Sequence, residues 1–371
     1  MGRDVLGSVD DGEFAPAAEP YRREILAHCY RMLGSWDEAE DAVQETYLRA
    51  WRSYRGLREK DLLRAWLFRI ATNVCLTAGR RRSRRPLPSG LAGAAEDGET
   101  PWVQPIADAA MTDGPQDPAV VVAARESVRL ALIASLQLLA PRQRAVLILR
   151  DVLAFPAADV AAMLGTTVVA VKSALQRARA RLAEVAPTGE AELLDPDDPR
   201  ARELLEQYVA GFEHADTAAL EKALRTDAAL ELIPSGEWFA GRLACLGVLR
   251  ASVGAPGTWR MVPTTANGQP AAIAYLRGPD GVHRPFGIGI LWPTASGIAR
   301  ILAIEDPGLA ARFGLPSTLD RPGAWHSPTI VERLGQWSPE RLESTNRRRS
   351  SKEAAMQFTP PYPLKKPKRR K

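Results

Sequence analysis

Cysteine is nearly absent from this chain of 371 residues: Cys29, Cys75 and Cys245 lie far apart, and no Cys-x-x-Cys occurs. That pattern excludes a disulfide scaffold and a thiolate zinc site and fits a reducing, cytoplasmic compartment. Long apolar runs are missing too. The longest candidate, Leu130 to Ala140, is interrupted by Ser135 and Gln137, so no membrane span and no membrane partner is expected. The N-terminus has no basic-then-apolar start; it carries Asp4, Asp10, Asp11 and Glu13, which excludes a secretory signal. A phosphate-cradling loop is absent, because Gly287-Ile-Gly289 has no third glycine and no following helix. No internal repeat is visible. Against these absences, hydrophobic residues make up 46% and charged residues 25% of the chain. That is enough to build cores, and the length argues for two or three domains.

The net charge of +5 hides an uneven distribution: residues 21–85 carry +7, residues 141–182 carry +5, residues 320–371 carry +8, and the remainder is acidic. Two basic, helical-looking blocks and a basic tail point to a polyanionic partner. Punctuation by proline divides the chain. Residues 1–20 are acidic and patternless. Residues 21–86 read as helices. Residues 87–127, with Pro88, Pro101, Pro105, Pro115 and Pro118, read as a linker. Residues 128–185 are helical again, and Pro187, Pro196 and Pro199 mark a second, acidic linker. Residues 200–318 read as two helices (Arg202–Glu213, Thr217–Leu224), five strands (Ala228–Ile233, Thr258–Ala266, Ala271–Arg277, Arg284–Leu291, Gly297–Ile304) and a helix over Arg242–Ser252. Asn267-Gly268 and Pro279-Asp280-Gly281 sit where hairpin turns belong. Residues 319–371, ending in Lys365-Lys-Pro-Lys-Arg-Arg-Lys371, read as a disordered basic tail.

The sharpest motif is a helix-turn-helix over residues 157–182. Ala161 is small enough for two helices to cross, and Gly165, four residues on, suits the tight turn. Val160, Leu164, Val168, Val171 and Leu175 are expected to form its core, with Thr167 as the cap of the second helix. Lys172, Ser173, Gln176 and Arg177 then fall on an exposed face able to reach phosphates and base edges in a major groove. Ala174 and Ala178 are expected to leave room beside Arg177 for close approach.

Residues 21–85 hold 8 of the 24 aromatic residues. Tyr47, Trp51 and Tyr54 follow helical spacing, as do Trp66, Ile70 and Asn73, and both stripes are interleaved with Arg49, Arg52, Arg55, Arg58, Arg64 and Arg69. Aromatic rings among arginines suit stacking of unpaired bases. Asp41, Gln44 and Glu45 share one helix face, a polar patch suited to a basic protein partner.

The runs Asp41-Ala-Val-Gln-Glu-Thr46, Ala65-Trp-Leu-Phe-Arg-Ile-Ala-Thr-Asn73 and Leu139-Ala-Pro-Arg-Gln-Arg-Ala-Val-Leu147 resemble bacterial sigma-70 family factors of the extracytoplasmic-function type. The resemblance covers about residues 18–185. It implies two all-α modules, region 2 and region 4, with core RNA polymerase and promoter DNA as partners. It also implies that Asp41, Gln44 and Glu45 meet the polymerase clamp helices and that Arg58, Lys60, Asp61 and Asn73 capture a flipped minus-ten base. Lys172, Ser173, Gln176 and Arg177 would read the minus-thirty-five element. Lys172 stands where an arginine would give a forked contact to guanine, and a lysine offers only a point charge.

Residues 200–318, with Trp238-Phe239-Ala240-Gly241-Arg242 between strand and helix, resemble the SnoaL-like group of the NTF2-like fold, an α+β cone with a pocket. In sigma factors such a domain follows region 4 and acts in regulation, which implies an intramolecular contact with the sigma linker or region 4. As an enzyme it would need an acid–base pair from residues such as His214, Asp227, Glu231, Glu305 and Asp306, and no such pair stands out. The expectation is a multidomain promoter-specificity subunit without catalysis, metal or cofactor. A stand-alone ligand-sensing helix-turn-helix regulator is one alternative; a cyclase or isomerase with a DNA-binding leader is the other.

Overall fold

A computed structural model describes residues 11–54, 62–80, 103–111, 129–185 and 192–319. Four helices build the first module: α1 (Asp11–Ala18), α2 (Arg22–Leu33), α3 (Trp36–Ser53) and α4 (Leu63–Arg80). Gly34, at φ 67°, ends α2, and Ser35 opens α3 by accepting the Glu38 amide N–H at 3.5 Å. Helix α1 corrects the reading of residues 1–20 as patternless. Phe14 and Ala18, one turn apart, are buried, a stripe too short to register as a period. The Phe14 ring lies 6.1 Å from Tyr47 and 5.2 Å from Tyr54, both edge-on. Those two tyrosines are therefore packed beneath α1 and are not a stacking platform for bases.

The second module comprises α5 (Leu130–Gln137), α6 (Pro141–Leu147), a π-helical turn over Ile148–Val152, α7 (Ala157–Leu164) and α8 (Val168–Val185). Helices α7 and α8 meet at 99° across Gly165, whose φ of 59° the turn demands. Thr167 accepts the Ala170 amide N–H at 3.2 Å. Val160, Ala161, Met163, Val171, Leu175 and Ala178 are buried at this corner. Val168 is not: it opens α8 at 38% exposure, one turn too early to reach the core.

The modules are pinned together at the C-terminal end of α2. Arg144 of α6 is buried and donates to the backbone carbonyls of Leu136, Gln137 and Leu139, and across the modules to that of Met32. Gln137 reaches the Arg31 carbonyl at 3.3 Å. Phe155 packs on Phe68 of α4 with centroids 5.5 Å apart, and the Arg64 guanidinium lies 4.6 Å from the Phe155 centroid.

Part of the expected linker is a built strap. Val103, Pro105, Ile106 and Ala107 are buried, and Ala107 makes an isolated bridge to Ala266. The strap carries the C-terminal domain, made of α9 (Pro199–Glu213), α10 (Thr217–Ala223), α11 (Arg242–Val253), a six-stranded sheet and α12 (Gly308–Arg312). The strands are β1 (Leu224–Ile233), β2 (Glu237–Ala240), β3 (Trp259–Ala266), β4 (Gln269–Arg277), β5 (His283–Thr294) and β6 (Gly297–Ile304). They run in the order β2-β1-β6-β5-β4-β3, with β1 and β6 parallel. Strand β2, four residues long, has too little alternation to be read from sequence.

Helices α9, α10 and α11 cover one face of the sheet. A chain of rings, Tyr208–Phe212–Trp259–Phe286, packs with centroids 5.1, 5.9 and 5.1 Å apart. The paired glycines make room, Gly289 for a ring of that chain and Gly287 for the neighbouring backbone. A Cβ on Gly289 would lie 2.6 Å from the Tyr208 hydroxyl, and one on Gly287 would lie 1.9 Å from the Ile304 carbonyl oxygen. The other face, with Ile273, Tyr275, Ile288 and Ile290, joins the core of the strap and the helical modules. Among the described residues no single helix is long and apolar enough to cross a membrane.

Candidate nucleic-acid interface

Helix α3 presents two different sides. Ala39, Ala42, Val43, Thr46 and Ala50 are buried against α2 and α4. Asp41 and Gln44 are exposed and Glu45 half-exposed, forming the strip expected from the spacing. Leu48 extends that strip at 49% exposure. Sequence reading passed over Leu48, yet it stands seven residues after Asp41, on the same face.

Beyond that strip, the C-terminal end of α3 forms a groove with α4. A cavity of about 480 Å³ is lined by Arg49, Arg52 and Ser53 from α3 and by Trp66, Arg69, Ile70 and Asn73 from α4. Trp66 and Ile70 are half-buried and give it an apolar floor, while Arg49, Arg52, Arg69 and Asn73 are exposed on its rim. Asn73 donates its side-chain N–H to the Arg69 carbonyl at 2.9 Å, which sets the amide at the groove mouth. Glu45 holds Arg49 at 2.6 Å, joining strip and groove on one helix. Three guanidinium groups, one indole and one amide around a shallow cavity can hold a backbone, stack a flat base and hydrogen-bond its edge. Arg58, Lys60 and Asp61 lie outside the described residues, as does the arginine run 81–85.

On α8, Lys172, Gln176 and Arg177 are exposed and Ser173 is half-buried. Ala178 is fully buried and Ala174 half-buried, so they pack the corner and do not leave room beside Arg177. Arg179 turns away from that face; it makes a forked pair with Asp151 of the π-helical turn at 2.7 and 2.8 Å, bracing α8.

A polar cluster joins the first module, the strap and the β3–β4 hairpin. Tyr30 is fully buried and donates to the Gln104 carbonyl at 2.8 Å. Its oxygen accepts from the Asn267 side-chain N–H at 2.8 Å, and the Asn267 side-chain oxygen accepts the Ile106 amide N–H at 2.9 Å. Burial drives the Tyr30 hydroxyl well above its usual pKa, so it remains a donor. Asn267, at φ 55°, also starts the hairpin turn, a conformation asparagine tolerates. Gly268 N–H meets Asp108 at 2.8 Å. Farther along, Arg312 of α12 forks onto Asp37 at 2.8 and 3.0 Å, and Phe313 packs on Trp36 at 6.0 Å. The C-terminal domain thus lies on the linker, one of the two contacts expected, and on the first module, which was not foreseen.

The acid–base candidates are scattered. His214 is exposed at the end of α9. Asp227 is paired with Arg225, whose hydrogen bond lowers its pKa. Asp306 is paired with Arg312. Glu231 is buried and salt-bridged to Arg300, whose guanidinium lies between the rings of Trp238 and Trp292 at 4.8 and 5.2 Å. Among the described residues no group of His, Cys, Asp and Glu could hold a metal ion.

Family models for Sigma-70 region 2 and Sigma-70 region 4 match residues 17–85 and 129–182. The chain is 47% identical over 318 residues to the "ECF RNA polymerase sigma factor SigG" of Mycobacterium tuberculosis, spanning 83% of this chain and 85% of that one. It is 30% identical over 176 residues to the "ECF RNA polymerase sigma factor SigW" of Bacillus subtilis, spanning 47% of this chain and 88% of that one. The crystal structure of the extracytoplasmic function sigma factor SigJ of Mycobacterium tuberculosis aligns with 81% of this chain and all of its own at 22% identity. Its TM-score is 0.53, so the two share a fold.

Proposed function

Because this chain belongs to the extracytoplasmic-function (ECF) sigma factors of RNA polymerase, we propose that its promoter work is divided between two neighbouring stretches of α3 and the face of α8. The strip of Asp41, Gln44, Glu45 and Leu48 docks on the clamp helices of the core enzyme. The groove around Asn73 and Trp66 takes a flipped minus-ten base, recovering by stacking the few kcal/mol that unstacking costs. Lys172, Ser173, Gln176 and Arg177 read the minus-thirty-five element from the major groove. The observation that carries this reading is that one rigid helix bears both the exposed acidic strip and the groove arginines, so docking on the enzyme places the groove on the opened strand.

The C-terminal domain acts by contact and not by catalysis. Elements about 25 base pairs apart are separated by about 85 Å of B-DNA. Phe68 and Phe155 hold the groove-bearing α4 against the second module, and α8 extends only about 27 Å from that corner. The packed form cannot reach both elements and is a resting form. The hairpin and α12 stabilise it, so loosening them raises transcription. The factor works in the cytoplasm, where the polymerase is. Charge reversal at Asp41 or Glu45 tests the docking face: each should weaken binding to core enzyme at least tenfold and leave duplex minus-thirty-five binding intact. Unchanged affinity for core enzyme refutes the assignment.

A further inference from the structure

Helix α8 exposes large apolar side chains at its start that its polar task does not use. Val169 is 74% exposed and Val168 38%. Val169, Lys172, Ser173 and Gln176 follow i, i+3, i+4, i+7 spacing, so the valine shares the face of the three polar residues. Val171, Leu175 and Ala178 fill the opposite side, so Val169 has no place in the core. Its position is the second residue after the Thr167 cap, and the first turn of a recognition helix enters the groove deepest. A valine there gains nothing for the helix, since its branched side chain is a weaker helix former than alanine.

The isopropyl group cannot donate or accept a hydrogen bond. Along the major-groove edges of the four base pairs, the one apolar group is the 5-methyl of thymine. We infer that Val169 is a specificity-determining residue of α8, packing on a thymine methyl group in the minus-thirty-five element. The inference rests on the reading of α8 as the minus-thirty-five helix. It adds a position that sequence inspection for polar readers passes over. A protein partner is a poor fit for this side chain, because a stable protein contact needs a patch of about 800 Å² per partner and Val169 stands among Lys172, Ser173 and Gln176.

The test uses full-length protein with core polymerase and promoter DNA selected from a library randomised over the minus-thirty-five element. The wild type should enrich a T·A pair at one position. Deoxyuridine in place of that thymine, which removes only the methyl group, should lower wild-type binding about fourfold, the equivalent of one buried methylene-sized group. Val169→Ala, which keeps the helix intact, should weaken binding to the thymine promoter to a similar degree and make it indifferent to deoxyuridine. Equal deoxyuridine sensitivity in wild type and Val169→Ala overturns the inference. Arg177→Ala separates the two levels. If it weakens binding while Val169→Ala leaves methyl dependence unchanged, only the valine assignment fails. If neither substitution affects DNA binding, the reading of α8 fails with it.

Discussion

Asn267→Gly removes the clasp between the hairpin and the first module without disturbing the turn. Glycine adopts the φ of 55° freely, so backbone strain contributes nothing to the change. The hydrogen bonds to the Tyr30 oxygen at 2.8 Å and from the Ile106 amide at 2.9 Å are lost. Both are buried, and Asn267 itself is fully enclosed. The Tyr30 hydroxyl keeps its own bond to Gln104, so its loss is one ordinary hydrogen bond, about 1 kcal/mol. The Ile106 amide has no substitute and costs about 2 kcal/mol as a buried, unsatisfied donor. The sum, about 3 kcal/mol, corresponds to about a hundredfold rise in local opening. Amide hydrogen exchange reads it directly. The amides of Ile106, residue 267 and Gly268 should exchange about a hundredfold faster, while amides in the α9–α10 layer hold their rates. Run-off transcription with core enzyme should rise in the same variant. A change below threefold at those three amides would refute the reasoning, because it would mean the cluster contributes no holding energy.

Arg177→Ala should weaken minus-thirty-five binding by about 1–3 kcal/mol if the guanidinium reads a base edge. A uniform loss across all DNA sequences would identify a phosphate contact instead. His28 makes stability pH-dependent. Burial, with Arg31 close by, pulls its imidazole from 6.5 down to about 3. Full stability is present above pH 6.5. As pH falls from 6.5 towards 3 the unfolded chain takes up a proton that the folded chain refuses, at about 1.4 kcal/mol per unit. Urea unfolding between pH 7 and pH 5 should therefore show the wild type losing about 2 kcal/mol more than His28→Gln, which retains a partner for Thr72. Parallel losses in the two proteins would refute this.

Much of the architecture was legible because it is periodic. The helix-turn-helix was marked by Ala161, Gly165 and Val171, and the β3–β4 hairpin by Asn267-Gly268. What escaped was non-periodic or non-local. Strand β2 has four residues and α1 buries one short stripe, both below the length at which a period registers. The role of Arg144 in joining the modules depends on the Met32 carbonyl of α2, more than a hundred residues away in sequence. The strap was hidden among the prolines of the 87–127 segment, which mark a linker equally well when it is loose and when it is built into a core. Tyr47 and Tyr54 showed the spacing of a stacking platform, but spacing does not reveal that Phe14 lies over them. At the site, Asn73 and Trp66 were found by period, whereas Ser53 and the cavity itself arise only when α3 and α4 are brought side by side.

The central claim is that this chain programs RNA polymerase to open a promoter through the groove between α3 and α4. The most direct measurement is permanganate footprinting of promoter DNA with core enzyme and the full-length chain, wild type against Asn73→Ala. Thymines in the minus-ten region should be reactive with the wild type and unreactive with core enzyme alone, with at least a tenfold loss for Asn73→Ala at unchanged affinity for core enzyme. Equal strand opening by the wild type and Asn73→Ala would contradict that claim.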